Sequence, residues 1–212
     1  MTQRQTQEER SRQTQARIMK GTLECILNKG IRATSTTDVA RQAEVSRGAL
    51  LHHYPTKESL MRAALEDLLN REVESVRDMA ERVSAGTLDF DTLLDTLHDH
   101  FKGDLFMVTL EYLTTARTDD SIKEVLIPLA ARFNESLESI WEHLQSNTRH
   151  STHENRVALN ATLCMMRGMG AQSIWRDDPA LYRDMLLFWK RTLIEAGFTS
   201  RQPAKDPGGQ VT

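Results

Sequence analysis

The stretch "VSRGALLHHYPTKESL", residues 45–60, decides how the rest of the chain is read. Ser46 can cap a helix over 47–53, and Pro55 forces Tyr54 out of helical geometry. Leu50 is the buried position of this short helix. Its first turn is bare: Gly48 and Ala49 stand where a core helix carries bulk, beside a long Arg47. A helix with a small, basic amino end is built to lie against another surface. His52 and His53 do not make a metal pair, because adjacent helical residues point apart.

Upstream, "ATSTTDVARQA", residues 33–43, opens a second helix. Thr34 or Ser35 can cap it, and Ser35 with Asp38 has the spacing of a capping box. Val39, Ala40 and Ala43 form its buried stripe. Before it, Ile18, Met19, Thr22, Leu23, Ile26 and Leu27 recur at helical spacing between Ser11 and Lys29, and Gly30 is the expected stop. Residues 1–10 are polar and expected to fray. Three short helices with a tight turn at Glu44 are a helix-turn-helix arrangement.

Downstream the pattern stays helical. Thr56 can cap a long fourth helix carrying Leu60, Leu65, Leu68 and Val76, ending near Gly86. Further helices are expected over 88–102, over the apolar run after Gly103, and after Asp119–Asp120, where Pro128 should kink the helix or mark its start. Two more are expected over 154–175 and 179–196, the last capped by Asp178 with Pro179 in its first turn. The expected class is all-α. The expected domains are a helix-turn-helix domain at 1–58, a helical effector-binding and dimerisation domain at 59–198, and a disordered tail at 199–212.

Composition narrows the function. The 212 residues have a net charge of −3, yet residues 1–57 hold ten bases against five acids, +5, leaving −8 for the remainder. A basic head on an acidic body points to a polyanion partner. Cys25 and Cys164 fit no metal or redox spacing and are expected to be small buried hydrophobes. With a polar start and no apolar run near the roughly 20 residues of a membrane span, the expectation is a soluble, cytoplasmic protein. No nucleophile elbow, phosphate loop or paired-carboxylate signature is present, so no enzyme, cofactor or metal is expected.

The stretch "GIRATSTTDVARQAEVSRGALLHHYPTKESL" resembles the amino-terminal domain of the TetR family of transcriptional regulators. The resemblance rests on Gly30, Thr34, Asp38, Val39, Ala40, Ala43, Val45, Ser46, Gly48, Leu50, His53, Tyr54, Lys57, Glu58 and Leu60, and covers about residues 11–65. Two positions depart from the family pattern. Glu44 stands where the turn usually has Gly, at a cost of about 1 kcal/mol if φ is positive. Leu51 stands where an aromatic commonly meets a phosphate.

The resemblance implies a recognition helix whose amino end faces base edges in the major groove. Arg47 can then reach guanine O6 and N7, and the Ala49 methyl a thymine methyl, with Gly48 allowing close approach. Ser35, Thr36, Thr37 and Ser46 at helix starts, with His53, Tyr54 and Lys57, suit phosphate contacts. It also implies a homodimer on a pseudo-palindromic DNA operator, usually as a repressor.

In the body, Phe101, Met107, Trp141, Met165 and Met169 are candidates for a pliable pocket holding a small apolar or cationic effector. Leu159, Leu163 and Met166, with Met185, Phe188, Trp189 and Leu193, are candidates for a dimer interface on the last two helices. The alternative reading is a helical protein-interaction module without sequence-specific DNA binding.

Overall fold

The computed structural model describes residues 6–146 and 148–198, so the expected tail at 199–212 lies outside the described residues. The described residues are all-helical: α1 (Gln7–Ala33), α2 (Thr36–Gln42), α3 (Arg47–His53), α4 (Lys57–Ser84), α5 (Phe90–Phe101), α6 (Asp104–Ala116), α7 (Asp120–Leu144), α8 (Thr152–Gln172) and α9 (Pro179–Glu195). They form two compact units, one of residues up to Glu74 with Gly103–Phe133, the other of Ser75–Lys102 with the residues from Asn134 onward.

Local chemistry explains most boundaries. α1 starts earlier than the apolar pattern requires, because Thr6 and Glu9 close a capping box ahead of it. Gly30 does interrupt α1, with φ 79° and ψ 163°, but Ile31–Ala33 resume helical geometry beyond it. Ser35 with Asp38 and Ser151 with Glu154 close the boxes of α2 and α8. Thr56 and Ser59 cap the start of α4 reciprocally. Asp119 receives the N–H groups of Ser121 and Ile122 at the start of α7. That helix begins there and runs through Pro128, whose ring nitrogen leaves the Glu124 carbonyl without its ladder partner. α9 has its Asp178 cap and Pro179 in its first turn.

The first unit packs α1, α2, α3 and the start of α4 around Ile18, Val39, Leu50, Leu60 and Leu65, and α6 closes it. Tyr112 of α6 is fully buried there and donates from its hydroxyl to the Met61 carbonyl at 2.9 Å. Burial pushes its phenol pKa up. In the second unit α5 packs against α8 and α9, and Leu93, Leu94 and Leu97 of α5, Leu159, Leu163 and Met166 of α8 and Leu193 of α9 are all buried. Trp141 of α7 is 1% exposed and meets Phe90 edge-on at 4.9 Å. Lys190 of α9 is almost buried and bridges Asp91 and Asp95 of α5, at 3.0 and 2.7 Å. Cys25 is buried as expected, and burial raises its thiol pKa. Cys164 is exposed on α8, contrary to the expectation, because its helix turns that side away from the core.

Candidate nucleic-acid interface

The turn between α2 and α3 sets the geometry of the site. The N–H of Val45 donates to Ala40 and that of Glu44 to Arg41, the pattern that ends a helix on a left-handed residue. Glu44 is that residue, at φ 52°, the only non-glycine with positive φ among the described residues. Gly86 and Gly197 do the same work after α4 and α9 without the steric cost of a Cβ. The strain at Glu44 is offset by Arg17 of α1. Its guanidinium donates to the Ala43 carbonyl at 3.0 and 2.8 Å and to the Glu44 carbonyl. Sequence reasoning missed Arg17. Its contacts lie 26 and 27 residues away, and no local pattern marks them.

α1 and α2 also touch closely. A Cβ on Gly21 would stand 3.0 Å from the Ala43 nitrogen and 3.1 Å from its Cβ, so any larger residue there presses on the α2 backbone, which must give by a few tenths of an ångström. Asp38 ties the same joint together. It pairs with Lys29 of α1 at 2.8 Å and Arg41 at 2.9 Å, and closes the Ser35 cap. The Lys29 hydrogen bond first, and those of Ser35 next, hold its carboxyl well below the usual range.

Within that frame α3 begins as expected. Ser46 caps it by accepting the Ala49 N–H at 3.0 Å, and Ser46, Arg47 and Gly48 are exposed. The space beside Gly48 is open; a Cβ there would have the Ser46 hydroxyl as its nearest neighbour, at 4.0 Å. Packing within the chain therefore does not require this glycine. Arg47 makes no ion pair or hydrogen bond among the described residues, whereas Arg12, Lys20, Lys29 and Arg41 are spent on carboxylates. Ser35 and Thr37 are exposed at the start of α2, and Thr36 and Ala49 are half-buried.

The far end of α3 is more committed than expected. His53 and Tyr54 are half-buried, with ring centroids 6.3 Å apart, and Tyr54 and Leu51 pack against the core. The Lys57 ammonium donates to the Arg32 carbonyl at 2.9 Å, so it closes the loop after the Gly30 break.

In the second unit, Asp95, His98 and Phe101 of α5 with Lys102 at its carboxyl end, Met166, Met169 and Gly170 of α8, and Tyr182, Arg183 and Leu186 of α9 line a cavity of about 630 Å³. Of the five pocket candidates, Phe101 and Met169 are in that lining. Trp141 is instead in the packed core beside Phe90 and Phe198, and Met107 sits on α6 in the first unit. Met165 is half-buried on α8, outside the lining. Of the interface candidates, Leu159, Leu163, Met166 and Leu193 are at most 3% exposed and finish the chain's own core. Met185 and Trp189 are half-buried, and the Trp189 indole donates to the Thr162 hydroxyl. Phe188 is 62% exposed.

An open, capped recognition helix held by a pinned turn is the anatomy of a helix-turn-helix DNA-binding protein. Residues 18–64 match the family described as bacterial regulatory proteins, tetR family. Through residues 18–64 the chain carries the amino-terminal domain of that family, the helix-turn-helix domain of DNA-binding transcriptional regulators. The HTH-type transcriptional regulator CymR of Pseudomonas putida is 27% identical over 175 residues, 82% of this chain and 86% of that protein. A TetR-family member from Streptomyces coelicolor shares the fold with a TM-score of 0.62 at 20% identity, covering 84% of this chain and 96% of that one. The transcriptional regulator FadR of Bacillus subtilis, solved with stearoyl-CoA, shares it at 0.63 and 16% identity, covering 82% and 96%.

Proposed function

We propose that this chain is a ligand-responsive repressor that binds a pseudo-palindromic operator as a homodimer. The observation that carries the reading is the start of α3: an unspent Arg47 beside an exposed Gly48 that the fold itself does not need. Arg47 reads a guanine through O6 and N7, and Ala49 meets a thymine methyl. Gly48 lets the backbone come close. Ser46, Thr36 and Thr37 donate to phosphates at the helix starts, where Ser35, whose hydroxyl proton is given to Asp38 at 2.6 Å, holds the start of α2 in place. His53 and Tyr54 brace the far end of α3 against the duplex backbone. Lys57 serves the interface from its place on the Arg32 carbonyl. Residues 1–58 are the DNA-reading part, and 59–198 hold the effector and the second copy.

The dimer forms on the exposed side of α8 and α9. Val157 of α8 with Ile174 and Trp175 in the turn after it, and Leu187, Phe188 and Ile194 of α9, are 50–72% exposed, an apolar surface that a single copy leaves in water. Gly168 lies on that side of α8 with nothing within 4 Å of its Cβ position, leaving room for a partner helix. A two-fold pair of such faces gives two reading heads. The effector is small, with a largely apolar body, and occupies the cavity of α5, α8 and α9; FadR of the same fold holds a small molecule too. It releases DNA by favouring a conformation the operator does not.

The test is selection of genomic fragments on purified protein, followed by binding with and without metabolite pools. The expected site has two inverted half-sites whose centres lie about 10 base pairs, or a multiple, apart. Binding without sequence preference would return the chain to the class of helical interaction modules.

A further inference from the structure

The cavity's lining says what its occupant should look like. Its floor is apolar and almost fully buried: Phe101, Met166, Met169 and Leu186. Its polar groups do not balance. Of the two lining carboxylates, Asp95 is already held by the buried Lys190 ammonium at 2.7 Å, and Asp177 is exposed. On the donor side, Arg183 of α9 has no ion pair among the described residues. Lys102 is paired with Asp99, but both are more than half exposed, so water screens that pair and a ligand can replace it. His98 of α5 lies one turn before Lys102, which caps that helix, and its side chain is 14% exposed. Asp99 Oδ1 is 3.9 Å from its Nδ1, beyond hydrogen-bond reach. Burial first, and the Lys102 charge next, depress its pKa, so at neutral pH it is a neutral imidazole with a free N–H or lone pair.

We propose that this cavity binds an amphipathic organic acid, its apolar body on Phe101, Met166, Met169 and Leu186 and its carboxylate among Lys102, Arg183 and His98. This rests on the reading of the cavity as the effector site and narrows it, replacing the cationic head suggested by the sequence. The physical reason is the surplus of donors. A carboxylate turns the unpaired Arg183 into a charge-assisted pair at the edge of a low-dielectric floor. An ammonium would meet Arg183 and Lys102 as like charges, with Asp177 as its one unspent partner.

The test uses the full chain with two probe bodies, a decyl chain and a phenylbutyl group, each carrying a carboxylate, a primary amide or a primary amine. Calorimetry should rank the carboxylate about tenfold or more above amide and amine for at least one body. Arg183→Gln with Lys102→Gln should erase that ranking while the melting temperature and operator affinity without ligand stay put. The His98 imidazole, followed by NMR, should titrate at higher pH when the carboxylate is bound. Amines binding as tightly as acids, a ranking that survives the double substitution, or no binding by any probe would each overturn the proposal. Operator affinity is measured alongside. An acid that binds by these criteria yet leaves operator affinity unchanged upholds the site and removes its regulatory reading.

Discussion

Two glycines in the DNA-binding head are kept for opposite reasons. Gly21 is closed in by Ala43, so Gly21→Ala forces the α1–α2 joint apart and should cost about 1–3 kcal/mol of stability. Gly48 has open space around it, so Gly48→Ala should be neutral or stabilise the helix by up to about 1 kcal/mol, since alanine is the better helix former. Its loss should fall on operator affinity instead. Thermal melts beside operator titrations separate the two; equal destabilisation by both would refute the distinction. Arg47→Ala should weaken operator binding by about 1–3 kcal/mol and relax preference at one base per half-site. A uniform loss across all sequences would make Arg47 a phosphate contact.

α2 depends on both of its ends. At its start, the Asp38 carboxylate is stabilised in the folded state, so its folded pKa lies below the unfolded value of about 4. Its contribution is fully present above that value and is lost as pH falls below it. Asp38→Asn should therefore lower the melting temperature near neutral pH and flatten its decline between about pH 4 and pH 2. Matching acid limbs for variant and parent would show that the carboxylate's ties to Lys29 and Ser35 carry no linkage. At the other end, Glu44→Gly should relieve the positive-φ strain and raise stability by about 1 kcal/mol, because Arg17 grips main-chain carbonyls that the substitution keeps. A loss in this variant would mean that the Glu44 side chain has a role of its own.

At the scale of the whole molecule, the apolar side of α8 and α9 is the test of assembly. Phe188→Asp sits on an exposed position and leaves the chain's own core intact, so it should give a folded monomer at micromolar concentration in sedimentation, with operator affinity sharply reduced. A dimer that tolerates it, or a parent chain that sediments as a monomer, would move the interface elsewhere. Leu193→Asp is not equivalent, because Leu193 is buried within its own chain and the substitution would unfold α9 before it reported on a partner.

What the sequence determined by itself was local. Ser35, Ser46, Thr56 and Asp178 cap helices within three residues of their partners, Pro55 acts on its neighbour, and the bare turn of α3 is visible as written. These effects depend on spacing along the chain, which the sequence displays directly. Even the strain at Glu44 was legible, as a residue type out of place in a turn. The tertiary structure decided everything that rests on distant partners. Gly21 against Ala43, Arg17 on the α2–α3 turn and Lys190 between Asp91 and Asp95 are 22 to 99 residues apart, and their pairing follows only from how the helices pack. The same holds for the apolar residues of α8 and α9. A helical period shows that Leu159, Leu163, Leu193 and Phe188 are apolar. Which of them meets its own core and which stays exposed depends on the rotation of each helix, and that is fixed by contacts across the unit.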